Sequence, residues 1–180
     1  SDFHCPFCKR VGPTIDKLEE SYPKKIRRVW RHFPLSFHRG ADRTHEASEC
    51  AAEQGKFWEY HDRLFENQNT LTGEDKTLIE LAETAGLKKK KFEECLASGK
   101  YKETIQRDIS AGESAGVRGT HAFFINGSLV SGAQPYEIFY GVLDQILAGH
   151  PEPLPTSAFN GPEARQLLQD LLIAAKHFRL

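Results

Sequence analysis

The run that decides the fold opens the chain: Asp2-Phe3-His4-Cys5-Pro6-Phe7-Cys8-Lys9-Arg10. Two cysteines at this spacing suit either half of a metal site or a redox pair. A structural zinc site wants two further Cys or His ligands at matching spacing, and the other cysteines, Cys50 and Cys95, stand isolated in helical patterns. The redox reading accounts for more. Pro6 suits the first turn of a helix, where its missing N–H costs nothing. Such a helix puts Cys5 at its N-terminus, where unpaired N–H groups and the helix dipole favour a thiolate. Cys8, one turn later, is placed to attack a mixed disulfide formed on Cys5.

Working outward, Val11, Ile15, Leu18 and Tyr22 recur at helical spacing, and Gly12-Pro13 predicts a kink. Residues 26–33, rich in β-branched and aromatic side chains and ended by Pro34, predict a strand. From Asp42 to about Ala115 the pattern is helical almost throughout, with helices expected over 44–54, 57–67, 74–85, 88–97 and 101–115. In the second of these, Trp58, His61, Leu64 and Phe65 form a stripe that predicts core packing. Residues 122–125 and 129–131 flank Asn126-Gly127, a strong hairpin signal because both residues tolerate positive φ. A helix starting at Pro135 carries Ile138, Phe139, Val142, Leu143, Ile146 and Leu147 on one face and ends at Gly149. A proline-rich linker over 151–155 then leads to an amphipathic helix from Pro162 to about His177. Its stripe of Leu167, Leu168, Leu171 and Leu172 is expected to dock on this chain's own domain or on a second copy.

Length and charge narrow the function. The chain has 180 residues with 24 Lys+Arg against 25 Asp+Glu, so it lacks the basic excess of an electrostatic nucleic-acid binder. No apolar stretch approaches the roughly 20 residues that span a bilayer. With 39% hydrophobic residues the composition is that of a globular protein, not a disordered one. Cys50 and Cys95 read most simply as small buried hydrophobes, with a disulfide between two helices as the alternative that fits an oxidising compartment. His4, beside Cys5, could stabilise the thiolate or stand exposed and inert, and Asp2 is a candidate proton relay.

Four separated blocks carry a resemblance: Asp2 to Arg10, Arg31-His32-Phe33-Pro34-Leu35, Ala51 to Trp58, and Gly119-Thr120-His121-Ala122-Phe123-Phe124-Ile125-Asn126-Gly127. Their order and spacing are similar to those of the DsbA-like thiol–disulfide oxidoreductases. The resemblance spans about residues 1–149 and implies an α/β (α+β) thioredoxin-like fold with an inserted all-helical domain. The core would comprise 1–40 and 116–149, the insertion 41–115, and 150–180 the linker and last helix. It implies an enzyme of the bacterial periplasm or cell envelope that needs no cofactor and exchanges disulfides with cysteine-containing proteins and a redox partner. Cys5 corresponds to the exposed nucleophile, Cys8 to the resolving cysteine, Thr120 and His121 to the substrate-docking loop, and His4, Pro6 and Phe7 to modulators of the pair.

The sequence departs from the family in three places. His121 stands where the family has a cis-proline, and a non-proline residue there predicts a trans Thr120–His121 bond, since cis costs about 3–4 kcal/mol. An imidazole at this position, near the sulfurs, could complete a metal site with Cys5 and Cys8 or tune a thiolate. The thioredoxin fold also needs a central strand before the cysteines, and Ser1 leaves little room for it, so upstream residues or another segment should fill that place. Finally, Phe7 occupies the position that is histidine in the strongest oxidants, which predicts a milder oxidant. The alternatives are a disulfide isomerase or reductase acting as a homodimer and a metal-binding thioredoxin-like protein.

Overall fold

Pro6 opens a helix. The computed structural model describes residues 1–149, and the linker and last helix expected over 150–180 lie outside them. Helix α1 runs Pro6–Ser21 with Cys5 as its N-cap, in extended conformation at φ −82° and ψ 120°, and Pro13 lies within it. Its buried Val11 and Leu18 meet Tyr22, Val130, Phe139 and Leu143 in one core.

That core is closed by a hairpin and a helix. Strand β1 (Ala122–Ile125) pairs antiparallel with β2 (Ser128–Ser131), with Ala122 opposite Ser131 and Ile125 opposite Ser128. Asn126 at φ 47° and Gly127 at φ 91° both take the left-handed conformation that a two-residue hairpin turn requires. Pro135 then caps a helix, α7 in chain order (Tyr136–Leu147). Phe139 of α7 meets the Phe123 ring edge-on at 4.7 Å.

Between α1 and the hairpin lie α2 (Ala41–Ala52), α3 (Phe57–Glu66), a 3-10 turn (Gln68–Thr70), α4 (Asp75–Thr84), α5 (Lys89–Ser98) and α6 (Lys102–Ser114). They enclose a second core around Ala47, Tyr60, Leu64, Leu78, Phe92 and Leu96, all at most 1% exposed. Phe3 is buried in this core and Trp30 packs against it, although both come from the chain before α2. Their rings stack at 4.6 Å, which ties the cysteine segment to the helices. Gly40 and Gly73 allow the chain entering α2 to touch the chain entering α4: a Cβ on Gly40 would come within 2.2 Å of the Thr72 carbonyl oxygen.

Three expectations are corrected. Residues 26–33 join no sheet among the described residues; a ladder needs successive backbone partners, and Ser1 supplies only two bonds beside this segment. The Ser1 N–H donates to the Arg31 carbonyl at 2.9 Å, and the Phe33 N–H donates to the Ser1 carbonyl at 2.9 Å. Side chains fix the rest, with Asp108 of α6 accepting from the His32 N–H at 2.9 Å and from Arg31 at 2.7 Å. Trp58 is 37% exposed and carries the Arg28 guanidinium on its face, so Tyr60 takes the core position on α3 that the stripe assigned to it. Cys50 and Cys95 are bonded to each other, because α2 and α5 pack with these two Cα atoms 5.8 Å apart.

The Cys50–Cys95 bond bridges a sequence separation of 45 residues. Loop-closure entropy for a ring of that size gives about 4 kcal/mol of stabilisation. Replacing both cysteines by alanine should lower the urea midpoint and steepen the slope, because the denatured chain without its cross-link exposes more surface; an unchanged midpoint would show that the bond restrains nothing the packing does not already hold.

Candidate active site

The two cysteines of the opening motif are free, and each residue is 3% exposed. The Cys5 carbonyl accepts from the N–H groups of Cys8 at 3.0 Å and Lys9 at 3.3 Å, which starts the first turn of α1. The Cys5 thiol points to the Thr120 carbonyl oxygen at 3.8 Å, while Cys8 Sγ accepts from the Asp2 N–H at 3.5 Å. The sulfurs therefore face different surroundings, one a loop carbonyl and the other the interior. Burial pushes the Cys8 thiol up to about 11, against the opposing pull of hydrogen bonds from Ser1 and the Asp2 N–H. Cys8 stays protonated at neutral pH.

Asp2 is fully buried and its carboxylate gathers the surrounding loops. Oδ1 accepts from the His4 N–H at 2.9 Å; Oδ2 accepts from the Leu35 N–H at 2.9 Å and from His38 Nδ1 at 2.6 Å. Burial works to raise its pKa, but His45, the Leu35 N–H and His38 outweigh that and hold it well below the usual carboxylate range. Gln68 of the 3-10 turn pins the same segment from the other side: its Nε2 donates to the Phe3 carbonyl at 2.7 Å and the Cys5 carbonyl at 3.0 Å.

The residues singled out from the sequence are partly assembled here. Pro6 takes the first helical position. Phe7 is 49% exposed between the cysteines with the Arg10 guanidinium 4.7 Å over its ring. Cys5, expected to be exposed, is buried, with the Thr120 carbonyl beside its thiol. His4 does not turn to the sulfurs; its Nε2 is 2.9 Å from Thr44 Oγ1, and burial lowers its pKa.

The Thr120–His121 bond is cis, not trans as expected. Packing accounts for the placement of the loop: the His121 ring lies 4.4 Å from Phe123, and its carbonyl accepts from the Gly132 N–H at 2.8 Å. The loop thus meets Cys5 through the Thr120 carbonyl. His121 Nδ1 is buried without a partner, and burial pushes the ring down to about 3. Among the described residues no three His, Cys, Asp or Glu side chains are grouped to hold a metal, so Cys5, Cys8 and His121 do not form a ligand set. The ring has gone to Phe123 instead.

Sequence reading missed Gln68, His38 and His45. Each reaches the cysteine segment across 36 to 65 positions, and no local pattern marks such a contact.

The buried pair at a helix start, facing a cis loop beside a hairpin, defines the class as thioredoxin-like. The sequence pattern of the family described as Thioredoxin matches residues 1–145, and the chain belongs to that family. Its fold is similar to a thioredoxin-like oxidoreductase from Silicibacter pomeroyi, at TM-score 0.72 and 21% identity over 82% of this chain and 83% of that one. Oxidised BdbD from Bacillus subtilis superposes at TM-score 0.71 and 21% identity over 83% and 85% of the two chains. In sequence the chain is 40% identical over 139 residues to "Na(+)/H(+) antiporter NhaA 3" from Salinispora tropica, a match covering 77% of this chain and 21% of that protein. The chain thus spans about a fifth of the length of the curated relatives it matches.

The histidines set the response to acid. Burial pushes His45 down to about 3, opposed by its interaction with Asp2, and pushes His61 down to about 4, opposed by Asp62. Between pH 6.5 and about 4 the unfolded chain binds protons that the folded chain does not, so stability must fall as pH falls through this window. Asp2 acts in the same sense below its unfolded value of 3.8, where its contribution is lost. Each unmatched proton is worth about 1.4 kcal/mol per pH unit. Urea midpoints measured from pH 7 to pH 4.5 should decline steadily; a flat profile would mean that these imidazoles take up protons in the native state.

Proposed function

We propose that this protein is a thiol–disulfide oxidoreductase that exchanges disulfides with cysteine-containing proteins through Cys5 and Cys8. The observation that carries the reading is the unequal placement of two free sulfurs one helical turn apart. Cys5 caps the start of α1 beside the Thr120 carbonyl, where a partner's sulfur would arrive. Cys8 lies behind it, protonated by its burial. In the reducing direction the Cys5 thiolate attacks a partner disulfide, releasing one partner sulfur as thiolate and leaving a mixed disulfide. Cys8 then loses its proton and attacks Cys5 Sγ; the Cys5–Cys8 bond forms and the second partner sulfur leaves. The oxidising direction is the reverse. Thr120 and His121 form the surface against which the partner chain lies, and residues 41–115 form the inserted helical domain that holds the motif from behind.

The Cys50–Cys95 bond supports an oxidising compartment outside the cytoplasm. No helix among the described residues is long and apolar enough to cross a membrane. A separate redox partner would reset the pair between turnovers. With Phe7 in place of a polarising histidine, the reduced form gains less, so the protein is a milder oxidant than relatives that carry one.

Both cysteine residues are 3% exposed, so accessibility does not separate them and ionisation does. At neutral pH, iodoacetamide should modify Cys5 first and Cys8 hardly at all. Cys5→Ser should abolish exchange in insulin reduction and in refolding of scrambled ribonuclease. Cys8→Ser should instead trap a mixed disulfide with the substrate. Preferential labelling of Cys8, or activity retained in Cys5→Ser, would reverse the assignment.

A further inference from the structure

A cleft of about 340 Å³ lies beside the Thr120–His121 bond, lined by residues 116–122 with Leu129, Ser131 and Gly132. Its chemistry is one-sided. None of the residues that line it carries a carboxylate, and Arg118 supplies the permanent charge. Arg118 is exposed, and its guanidinium has no acidic partner among the described residues. The cleft also adjoins the reacting sulfur. The Thr120 carbonyl is 3.8 Å from Cys5 Sγ, and Arg118 stands two residues earlier, at most about 7 Å along the chain.

The loop is rich in uncommitted donors. The Val117 N–H donates to the Gly112 carbonyl at 2.9 Å, but the N–H groups of Arg118, Gly119, Thr120 and His121 form no hydrogen bond among the described residues. A Cβ built on Gly119 would meet nothing within 4 Å, so a ligand can come close to the backbone there. Thr120 Oγ1 and His121 Nδ1 are buried without a partner, and a buried polar atom left unpaired is costly. Burial keeps the His121 ring neutral, so it adds a hydrogen-bonding atom and no charge. One guanidinium and several donors, with no anion among them, suit a ligand that only accepts. A carboxylate meets that demand: its two oxygens offer about four lone pairs and match the fork of an arginine.

Resting on the exchange reading above, we propose that this cleft binds a carboxylate of the partner protein, so that the chain exchanges fastest with cysteines that have Asp or Glu close beside them in sequence. Arg118 selects the acidic side chain, and the Thr120 hydroxyl and the loop N–H groups fill its remaining lone pairs. An extended partner chain advances about 3.3 Å per residue. A carboxylate one or two residues from the partner's cysteine therefore spans the interval from Cys5 to Arg118. Seating it in the cleft brings the partner's sulfur to Cys5, and the exchange steps then run as described above. Arg118 touches neither reacting sulfur; it determines which partner is held in place.

Other cations of the neighbouring segments are already engaged. Arg10 lies over the Phe7 ring, Lys9 Nζ donates to the Glu66 carbonyl at 3.4 Å, and Arg31 is paired with Asp108. Arg28 faces Asp16 and Glu19 and covers Trp58. The exposure of Arg118 sets the size of the effect. A pair at the water-facing edge of an interface gives a modest factor that salt screens, and it acts mainly by raising the rate of productive encounter.

The test mixes the oxidised full chain with reduced dithiol peptides in which Glu, Gln or Lys flanks one cysteine on both sides, quenches with acid and follows the peptide disulfide by mass spectrometry. Each rate constant is divided by that of the same peptide with hydroxyethyl disulfide, an uncharged reagent. The division removes the effect of the flanking charge on the peptide thiol itself. At low salt the normalised rate for the Glu peptide should exceed that for Gln about fivefold, and that for Lys by more. The preference should fall toward one in about 1 M salt, where the Debye length is about 3 Å. Arg118→Gln should lose the Glu-over-Gln preference, and Arg118→Lys should keep part of it. Each ratio is internal to one protein, so a general loss of activity does not imitate the result. Equal normalised rates for Glu and Gln in wild type, a wild-type preference indifferent to salt, or one that Arg118→Gln leaves intact would overturn the proposal. Failure of the oxidised wild type to exchange with any of the peptides would instead overturn the exchange reading.

Discussion

The structure around the cysteines depends on one buried carboxylate. Asp2 is three residues before Cys5 and accepts hydrogen bonds from the His4 N–H, the Leu35 N–H and His38. Those donors come from two stretches of chain that have no sheet between them at this point. An ionised group in the interior is tolerated only when its lone pairs are filled, so these segments are held to the positions that fill them. The geometry of the cysteine turn follows. With Asp2 fixed from one side and Gln68 gripping the Phe3 and Cys5 carbonyls from the other, the N-cap of α1 has little freedom.

This anchoring gives two chemically similar side chains different surroundings. A sulfur at a helix start, beside a loop carbonyl, differs from one buried a turn further along, and burial alone is enough to keep Cys8 protonated. The Thr120–His121 loop meets the pair through its backbone and not its side chain: His121 packs on Phe123, and the Thr120 carbonyl meets Cys5. A histidine is thereby accommodated at a position that neighbours the cysteine pair without becoming a ligand.

The helices between α1 and the hairpin are more than a cover. Helix α2 carries His45 and Glu49 on the side that faces the cysteine segment and Cys50 toward α5, where the disulfide joins the two helices. The close approach at Gly40 and Gly73 sets where α2 begins.

The sequence by itself determined the helices, the hairpin and the placement of the cysteine pair at the start of α1, because their signals are local. Pro6 after Cys5, Asn126-Gly127 between apolar runs and apolar residues at helical spacing each specify backbone conformation within a few residues. What the tertiary structure decided involves partners distant along the chain. Residues 26–33 look like a strand by composition, yet a strand exists only through a neighbour, and among the described residues no ladder forms beside them. Trp58 fits the apolar stripe of α3, but Arg28 holds it at the surface. Cys50 and Cys95 became a disulfide through the packing of α2 on α5, which no spacing encodes. The state of the Thr120–His121 bond and the burial of Cys5 likewise arise where separate segments meet. Hydrogen-bond complementarity in a dry interior acts only after the chain has closed around it.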